Sequence, residues 1–218
     1  MFGKPSYRTR TEAGQVIADL IVKEKLRGNF IVLAIPNGGV EVAAPVAKQL
    51  NAPLDIIIVR KLQIPSNPEA GFGALTSLGT MILNERLVRS IGINAESIER
   101  VRELTERQIE TRRQVYRGIS RQTDPTGRDI ILVDDGLASG FTMLAAVESV
   151  KQFEPDSIRV AIPTAHYESV KRVEPLVDEI ICPRVEHGFS FAVANAYEMW
   201  YDVPDEEVIA ILQNLNRD

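Results

Sequence analysis

Two adjacent acids followed by small and hydroxyl-bearing residues have the clearest chemical potential in this sequence. Asp134 and Asp135 come directly after four aliphatic residues, and residues 136–142 are rich in glycine, serine and threonine. Backbone N–H groups of a glycine-containing turn and the positive end of a helix dipole together bind a phosphate. Ser139 and Thr142 add hydroxyl donors. Because carboxylates repel phosphate, we expect the acids to face ribose hydroxyls, a hydrated divalent cation, or both.

The elements that position these residues are a buried strand and a helix. The aliphatic run at 130–133 lacks polar alternation, which is typical of a parallel strand covered on both faces. A helix is predicted from the turn to about residue 153. The alternative interpretation is an acidic strand end followed by an ordinary turn into a helix.

The same order of strand, glycine turn and helix occurs earlier, at residues 30–50. Its turn consists of Pro36, Asn37, Gly38 and Gly39. Loops at the carboxyl ends of strands form the ligand crevice of an open parallel sheet, so both turns are predicted to face one ligand. Alternatively, the two glycines only permit close packing of the helix.

The string IILVDDGLASGFT at residues 130–142 resembles the signature for 5-phosphoribosyl-1-pyrophosphate (PRPP) of the type I phosphoribosyltransferases, and IPNGGV at 35–40 resembles the IPxGGV form of a stand-alone branch. The resemblance implies that Asp134 and Asp135 hold the ribose hydroxyls and, through water, Mg²⁺. It implies that the 5′-phosphate is bound by Ala138, Ser139, Gly140, Phe141 and Thr142. The earlier turn would bind pyrophosphate, often through a non-proline cis peptide, and usually has arginine where Asn37 stands.

A basic pair, Arg60 and Lys61, lies at the end of a strand predicted at 54–59. Two cations there would neutralise a departing pyrophosphate, or they form a solvated pair. The segment at 63–70, rich in proline and asparagine, reads as a mobile loop. By resemblance it corresponds to the flexible catalytic loop that closes over PRPP.

The tail carries a concentration of aromatic residues that either pack in the core or stack on a flat substrate. FAVANAYEMW at 191–200 resembles the FxVGxxY tail that closes the family's base pocket, which implies a pocket of Phe191, Val193 and Tyr197. Ala138 stands where the branch acting on hypoxanthine and guanine has aspartate, which disfavours a 6-oxopurine. His166 follows a predicted strand and either lines the crevice or is structural.

Bulk properties narrow the class of protein. The 218 residues predict one α/β domain over 1–218, with a mostly parallel open sheet, helices on both faces, a flexible loop and a small C-terminal hood near 183–203. The net charge of −5 argues against a nucleic-acid partner. With no apolar stretch of membrane-spanning length and one cysteine, a cytoplasmic location without membrane contact is expected.

Two further helices are predicted from their patterns. The first, at 7–27, is predicted to have Thr11 as its N-cap. A highly charged helix at 95–122 is predicted to begin at Asn94 and to present a solvated face. A contact in a homodimer is the alternative role of that face, and a homodimer is expected.

The sequence therefore predicts a Mg²⁺-dependent phosphoribosyltransferase of nucleotide salvage, which transfers the phosphoribosyl group of PRPP to a small aromatic base. A non-catalytic PRPP sensor is the second hypothesis. A domain that binds another phosphorylated ligand is the third.

Overall fold

The chain alternates strands with helices for most of its length. The computed structural model describes residues 5–65, 67–188 and 191–215, with the backbone alone at 68 and 69. In chain order the strands are β1 (Phe30–Ala34), β2 (Leu54–Ile56), β3 (Val59–Ile64), β4 (Asn67–Thr76), β5 (Met81–Leu83), β6 (Asp129–Val133), β7 (Ser157–Ala161), β8 (Thr164–His166), β9 (Glu179–Ile181) and β10 (Arg184–Glu186). The helices are α1 (Arg10–Lys23), α2 (Gly38–Leu50), α3 (Glu85–Ile91), α4 (Ala95–Val115), α5 (Phe141–Lys151), α6 (Tyr167–Val173) and α7 (Asp205–Leu215), with 3₁₀ turns at Glu174–Leu176 and Val193–Ala196.

Helices cover both faces of the central sheet, whose five parallel strands lie in the order β2-β1-β6-β7-β9. In β6, Ile131 and Val133 belong to the apolar cluster that includes α1, α2 and α7. Ile130 and Leu132 belong to the cluster on the other face, with α5. All four side chains are fully buried, which explains the absence of polar alternation. The predicted α/β fold with a parallel sheet is confirmed.

The strands β3 and β4 form an antiparallel hairpin, where the sequence had predicted a strand end and a mobile loop at 63–70. β3 pairs with β4 in this hairpin. Leu62 and Phe72 are fully buried whereas Lys61 is exposed. The ladder between the two strands reaches Ile64, which pairs with Asn67. Most of the segment predicted as a loop is therefore strand, and its mobility stays a prediction. β4 continues into β5 through a turn.

The charged helix α4 begins at its predicted N-cap, since the Asn94 side chain accepts a hydrogen bond from the first turn of the helix. It ends at Val115, before the predicted end at 122. Ion pairs such as Arg100 with Glu96 occupy its exposed face, which confirms the solvated face. The homodimer stays a prediction. In the described part of the chain, no helix combines the length and the hydropathy needed to cross a bilayer.

A small second layer covers the carboxyl end of the sheet. β8 and β10, neither of which was predicted as part of a separate sheet, pair in parallel there. The N-terminal segment joins this layer, because Tyr7 forms a parallel bridge with Tyr197. α1 starts directly after this bridge, with Thr9 Oγ1 accepting from the Glu12 N–H at 3.1 Å. The prediction of Thr11 as the N-cap was therefore wrong by two residues.

Candidate active site

The two glycine-containing turns meet at the carboxyl end of the sheet because β1 and β6 are neighbours, with Ala34 opposite Val133. A Cβ on Gly38 would stand 2.1 Å from Asp135 Oδ2, and a Cβ on Gly39 would stand 2.9 Å from the Val133 carbonyl oxygen. Any other residue would push the turns apart. The glycines thus permit close packing, as the alternative interpretation stated, and the same packing places the turn at 36–39 directly beside the acids.

The two acids lie partly buried and interact with each other. Asp134 Oδ1 accepts a hydrogen bond from the Asp135 backbone N–H at 2.8 Å. Burial, and then the charge of Asp135, raise the pKa of Asp134 well above its ordinary value. Burial also raises the pKa of Asp135, although the Arg10 guanidinium opposes that shift. The site therefore holds two carboxyl groups whose ionisation is disfavoured until a counter-charge or donor approaches.

Arg10 is the residue of this site that sequence reasoning missed. Its Nε donates to Asp135 Oδ2 at 2.9 Å, and a terminal nitrogen donates to the Tyr201 carbonyl oxygen at 3.0 Å. The same guanidinium lies 3.6 Å from Glu41 and 4.0 Å from the Trp200 ring centroid. Its side chain is only 3% exposed. Arg10 therefore connects α1, α2, the tail and the acid motif.

The predicted phosphate turn lies between the end of β6 and the first turn of α5. Its residues are Ala138, Ser139, Gly140, Phe141 and Thr142. Gly140 has φ +83° and caps α5 without a side-chain hydrogen bond. The carbonyl oxygens of Ala138 and Ser139 accept hydrogen bonds from Ser169 and Arg172 on α6. These bonds fix the turn from outside, and the N–H groups at the start of α5 have no cap that competes with an anion.

The other turn contains a cis peptide between Pro36 and Asn37. The Asn37 side chain donates to the Val203 carbonyl oxygen at 2.7 Å and to Asp205 at 2.9 Å, and it accepts from the Tyr116 hydroxyl at 3.1 Å. This side chain therefore anchors the turn to α7 and to the end of α4. A ligand at this turn would meet the backbone of Asn37 rather than its amide.

The basic pair separates into two environments, as neighbours on a strand do. The positive charge of Lys61 acts on Asp134, where it opposes the effect of burial on the pKa. Arg60 lies instead in the field of Arg112 and Asp205, and burial lowers the pKa of its guanidinium. Its Nε is buried without a hydrogen-bond partner in the described part of the chain. Lys61 thus lies within electrostatic range of Asp134, whereas Arg60 lies in the field of charges on α4 and α7.

The three predicted base-pocket residues have different surroundings. Tyr197 is 3% exposed and donates to the Asp135 carbonyl oxygen at 2.6 Å, and burial raises its pKa. Val193 packs on Gly136, where an added Cβ would lie 2.6 Å from a Val193 methyl group. Phe191 is half-buried. Tyr197 therefore fixes the tail to the acid motif, whereas Phe191 keeps part of its ring accessible.

The carboxylates of Asp134 and Asp135 are the groups of this site that could bind a divalent cation. Among the described residues, no group of three or more potential ligand side chains could hold a metal ion. Hydrogen bonds occupy one oxygen of each carboxylate and leave Oδ2 of Asp134 and Oδ1 of Asp135 without a bond from the described residues. Mg²⁺ often takes one or two carboxylates and completes its shell with phosphates and water. The donor set suits such an ion, bound together with a substrate.

A parallel sheet with a phosphate-type turn after two acids, and a small hood above them, defines a phosphoribosyltransferase-like fold. The model of the phosphoribosyl transferase domain family matches residues 8–196. The chain belongs to this family, which confirms the resemblance drawn from its motifs.

Individual relatives agree with this assignment. A Mycobacterium tuberculosis H37Rv protein, provisionally named a phosphoribosyl transferase, is 35% identical over 210 residues, which are 96% of this chain and 47% of the relative. The chain thus spans about half the length of that relative. The Thermus thermophilus protein TT1426 is 34% identical with a TM-score of 0.79, covering 96% of this chain and 98% of TT1426. AQ2163 from Aquifex aeolicus shares the fold, with 13% identity and a TM-score of 0.52. The matched region covers 81% of this chain and 74% of AQ2163.

Proposed function

We propose that this chain is a phosphoribosyltransferase that transfers the 5-phosphoribosyl group of PRPP to a nitrogen of a small aromatic base and releases pyrophosphate. The observation that carries the proposal is the contact between the two turns: Gly38 and Gly39 lie directly against Asp135 and Asp134. A molecule with a phosphate at one end and a diphosphate at the other suits a crevice with an anion turn on each side of two acids.

Each end of PRPP has a proposed partner. The N–H groups at the start of α5, with Ser139 and Thr142, bind the 5′-phosphate. The backbone of the turn at 36–39 binds the pyrophosphate. Asp134 and Asp135 accept hydrogen bonds from the ribose 2′ and 3′ hydroxyls, and their negative charge favours the positive ribose-like transition state.

The departing pyrophosphate requires positive charge. Lys61 supplies it from the protein, since its charge already acts on Asp134. Mg²⁺, bound by Asp134 and Asp135 together with PRPP oxygens and water, would neutralise further negative charge on the diphosphate. The proposed role of Arg60 is indirect, because its field is that of Arg112 and Asp205.

The base is proposed to bind under the hood, with Phe191 stacked on one face and the Val193 backbone at its edge. The half-buried ring of Phe191 supports this placement. Tyr197 contributes by holding the tail on Asp135 rather than by contacting the base. Ala138 disfavours a 6-oxopurine as the acceptor, because it supplies no side-chain proton acceptor.

A turnover assay tests the proposal. Purified protein, PRPP and Mg²⁺ are incubated with a panel of adenine, uracil, hypoxanthine, guanine and further heteroaromatic bases, and pyrophosphate release is measured. Release that depends on one base and on Mg²⁺ supports the transferase. Failure of the protein to bind PRPP in calorimetry refutes the whole assignment to PRPP chemistry.

A non-catalytic PRPP sensor is the second candidate, and the Asn37 side chain favours it. The amide is committed to Val203 and Asp205, and the position carries no cation for the pyrophosphate. PRPP binding without turnover of any base would support the sensor. A homodimer is also proposed, with the exposed face of α4 as its candidate contact, and light scattering measures it directly.

A further inference from the structure

The proposed transfer leaves one proton without a destination. A base nitrogen that attacks the ribose carries an N–H whose proton must leave during or after the attack. In the phosphate turn, Ala138 has only a methyl group, and the hydroxyls of Ser139 and Thr142 are assigned to the 5′-phosphate. A proton acceptor must therefore come from an element beside the turn.

β8 is the element that lies beside the turn. Leu137 and Ala165 form a parallel bridge, the Leu137 N–H donates to the Thr164 carbonyl oxygen at 2.9 Å, and the His166 N–H donates to the Leu137 carbonyl oxygen at 2.9 Å. The residues that follow the bridged pair are Ala138 and His166. His166 is thus the neighbour of the position that lacks an acid.

The hydrogen bond of the His166 ring determines its tautomer. Nε2 lies 3.1 Å from the Gly188 carbonyl oxygen. A carbonyl oxygen only accepts, so Nε2 must carry the hydrogen, and Nδ1 of the neutral ring is then an acceptor. No hydrogen bond to Nδ1 occurs among the described residues.

The surroundings of the ring match a base site. The His166 ring is half-buried, and its centroid lies 6.0 Å from that of Phe191, the proposed stacking residue, with an interplanar angle of 54°. A flat base stacked on Phe191 would present its edge to a group in this position. The ring therefore combines an open acceptor atom with a place next to the proposed acceptor.

We propose that His166 Nδ1 accepts the proton from the N–H group of the attacking base and thereby determines which bases react. This inference rests on the proposed transferase function. The lone pair of the base nitrogen forms the bond to the ribose C1′, and the bond from C1′ to the pyrophosphate oxygen breaks with its electron pair leaving on pyrophosphate. The proton of the base nitrogen passes to Nδ1 and then to solvent. The class of acceptors selected is therefore aromatic bases whose attacking nitrogen carries a hydrogen.

Two amide substitutions separate this role from a structural one. Asparagine places its oxygen where Nδ1 lies, and glutamine places its NH₂ where Nε2 lies. His166→Asn therefore keeps an acceptor towards the base, and His166→Gln keeps the donor to Gly188. His187, which stacks on Tyr167 at 4.4 Å, provides the control substitution His187→Ala.

The experiment measures steady-state kinetics with the base identified in the panel, and PRPP affinity by calorimetry. We expect His166→Ala and His166→Gln to lower kcat/KM for the base by about 10²-fold or more. His166→Asn should keep KM for the base within about threefold and lower kcat, because an amide cannot take the proton. PRPP affinity should be unchanged in every variant, and His187→Ala should match the wild type.

Three results overturn the inference. Full activity of His166→Ala excludes the role. Wild-type kcat/KM in His166→Gln but not in His166→Asn also excludes it, because that result would show that the hydrogen bond to Gly188 is the important one. An equal loss of PRPP affinity and base turnover in His166→Ala would indicate a structural defect. In each case the wild type still turns over a base, so the proposed function survives; a wild type that binds PRPP and transfers to no base refutes the function itself.

Discussion

Replacing Arg10 by methionine is the most informative perturbation, because it removes one charge and keeps a side chain of similar length. The Arg10 and Asp135 side chains are 3% and 17% exposed and lie 2.9 Å apart. Removing one partner of a buried ion pair costs about 3–5 kcal/mol, since the other charge is left without compensation. We therefore expect Arg10→Met to lower the free energy of unfolding by about that amount near pH 7.5, measured by urea denaturation.

The pH dependence gives this prediction its sign. Burial already raises the pKa of Asp135, and Arg10 is the charge that opposes the rise. Without Arg10 the pKa rises further, so the uncompensated carboxylate destabilises the variant at neutral pH. As the pH falls through that raised pKa, Asp135 takes a proton and the penalty disappears. The stability difference between wild type and variant should therefore narrow as the pH is lowered from 7.5.

Ligand binding should report the same loss. A hydrogen bond to a charged group contributes about 1.5–3 kcal/mol, so misplacing the Asp135 carboxylate should weaken PRPP binding by about 10- to 100-fold. Arg10→Lys should fall between wild type and Arg10→Met, because an ammonium replaces the charge but not the planar stack on Trp200.

A matched control and a double mutant test the reasoning. Arg100→Met breaks an exposed pair on α4, where Arg100 and Glu96 are 73% and 81% exposed, and should hardly change stability. In an Asp135→Asn background the cost of Arg10→Met should shrink by about 1–3 kcal/mol. An undiminished cost in that background, or PRPP binding equal to that of Arg100→Met, would refute the proposed coupling.

Three further predictions concern the two turns and the hairpin. Burial and the neighbouring carboxylate raise the pKa of Asp134. The folded protein therefore loses stability as the pH rises above about 4, the ordinary pKa of aspartate. Asp134→Asn should raise the melting temperature at pH 8 more than at pH 5 and should abolish PRPP binding. A melting temperature unchanged at both values would contradict it. Gly38→Ala places a Cβ 2.1 Å from a carboxylate oxygen. It should lower the free energy of unfolding, measured by urea denaturation, by about 1–3 kcal/mol and should also lower the affinity for PRPP. An affinity equal to that of the wild type would show that the turns can move apart. Lys61→Ala should lower kcat for pyrophosphate release by about 10²–10³-fold and Arg60→Ala by less, and the reverse order in steady-state kinetics would contradict the placement of these side chains.

The strands and turns of the central sheet were predictable because their signals are local. An aliphatic run such as 130–133 needs no distant residue to identify it as a buried strand, and two acids before a glycine turn mark its carboxyl end. The hairpin of β3 and β4 was missed because proline and asparagine near its tip suggested a loop, although Leu62 and Phe72 are fully buried. Tertiary packing overrode the local composition there.

The contribution of Arg10 could not be predicted from local signals, since Asp135 lies 125 positions away along the chain. One sequence signal did exist. Arg10 lies on the same helical stripe as Ala13 and Ile17, so its side chain had to point into the protein. An arginine on a buried stripe requires an acidic partner, and only the fold identifies which acid that is.

The arrangement around the acids is costly to the folded state. The two adjacent carboxyl groups have raised pKa values. Gly38 and Gly39 lie so close to these acids that a side chain at either glycine would clash with them or with the neighbouring backbone. Arg10 and the Tyr197 hydroxyl hold this geometry from the other side. A packing role alone would be filled better by apolar residues, because burying acids next to each other gains no stability. A ligand that brings hydroxyl donors or a cation to the unoccupied carboxylate oxygens would offset this unfavourable free energy, because it stabilises the ionised acids in the bound state. PRPP, the proposed substrate, offers both, because its ribose has hydroxyl groups and its diphosphate binds a divalent cation. The contact of the two turns at these acids therefore fits PRPP better than it fits a packing role.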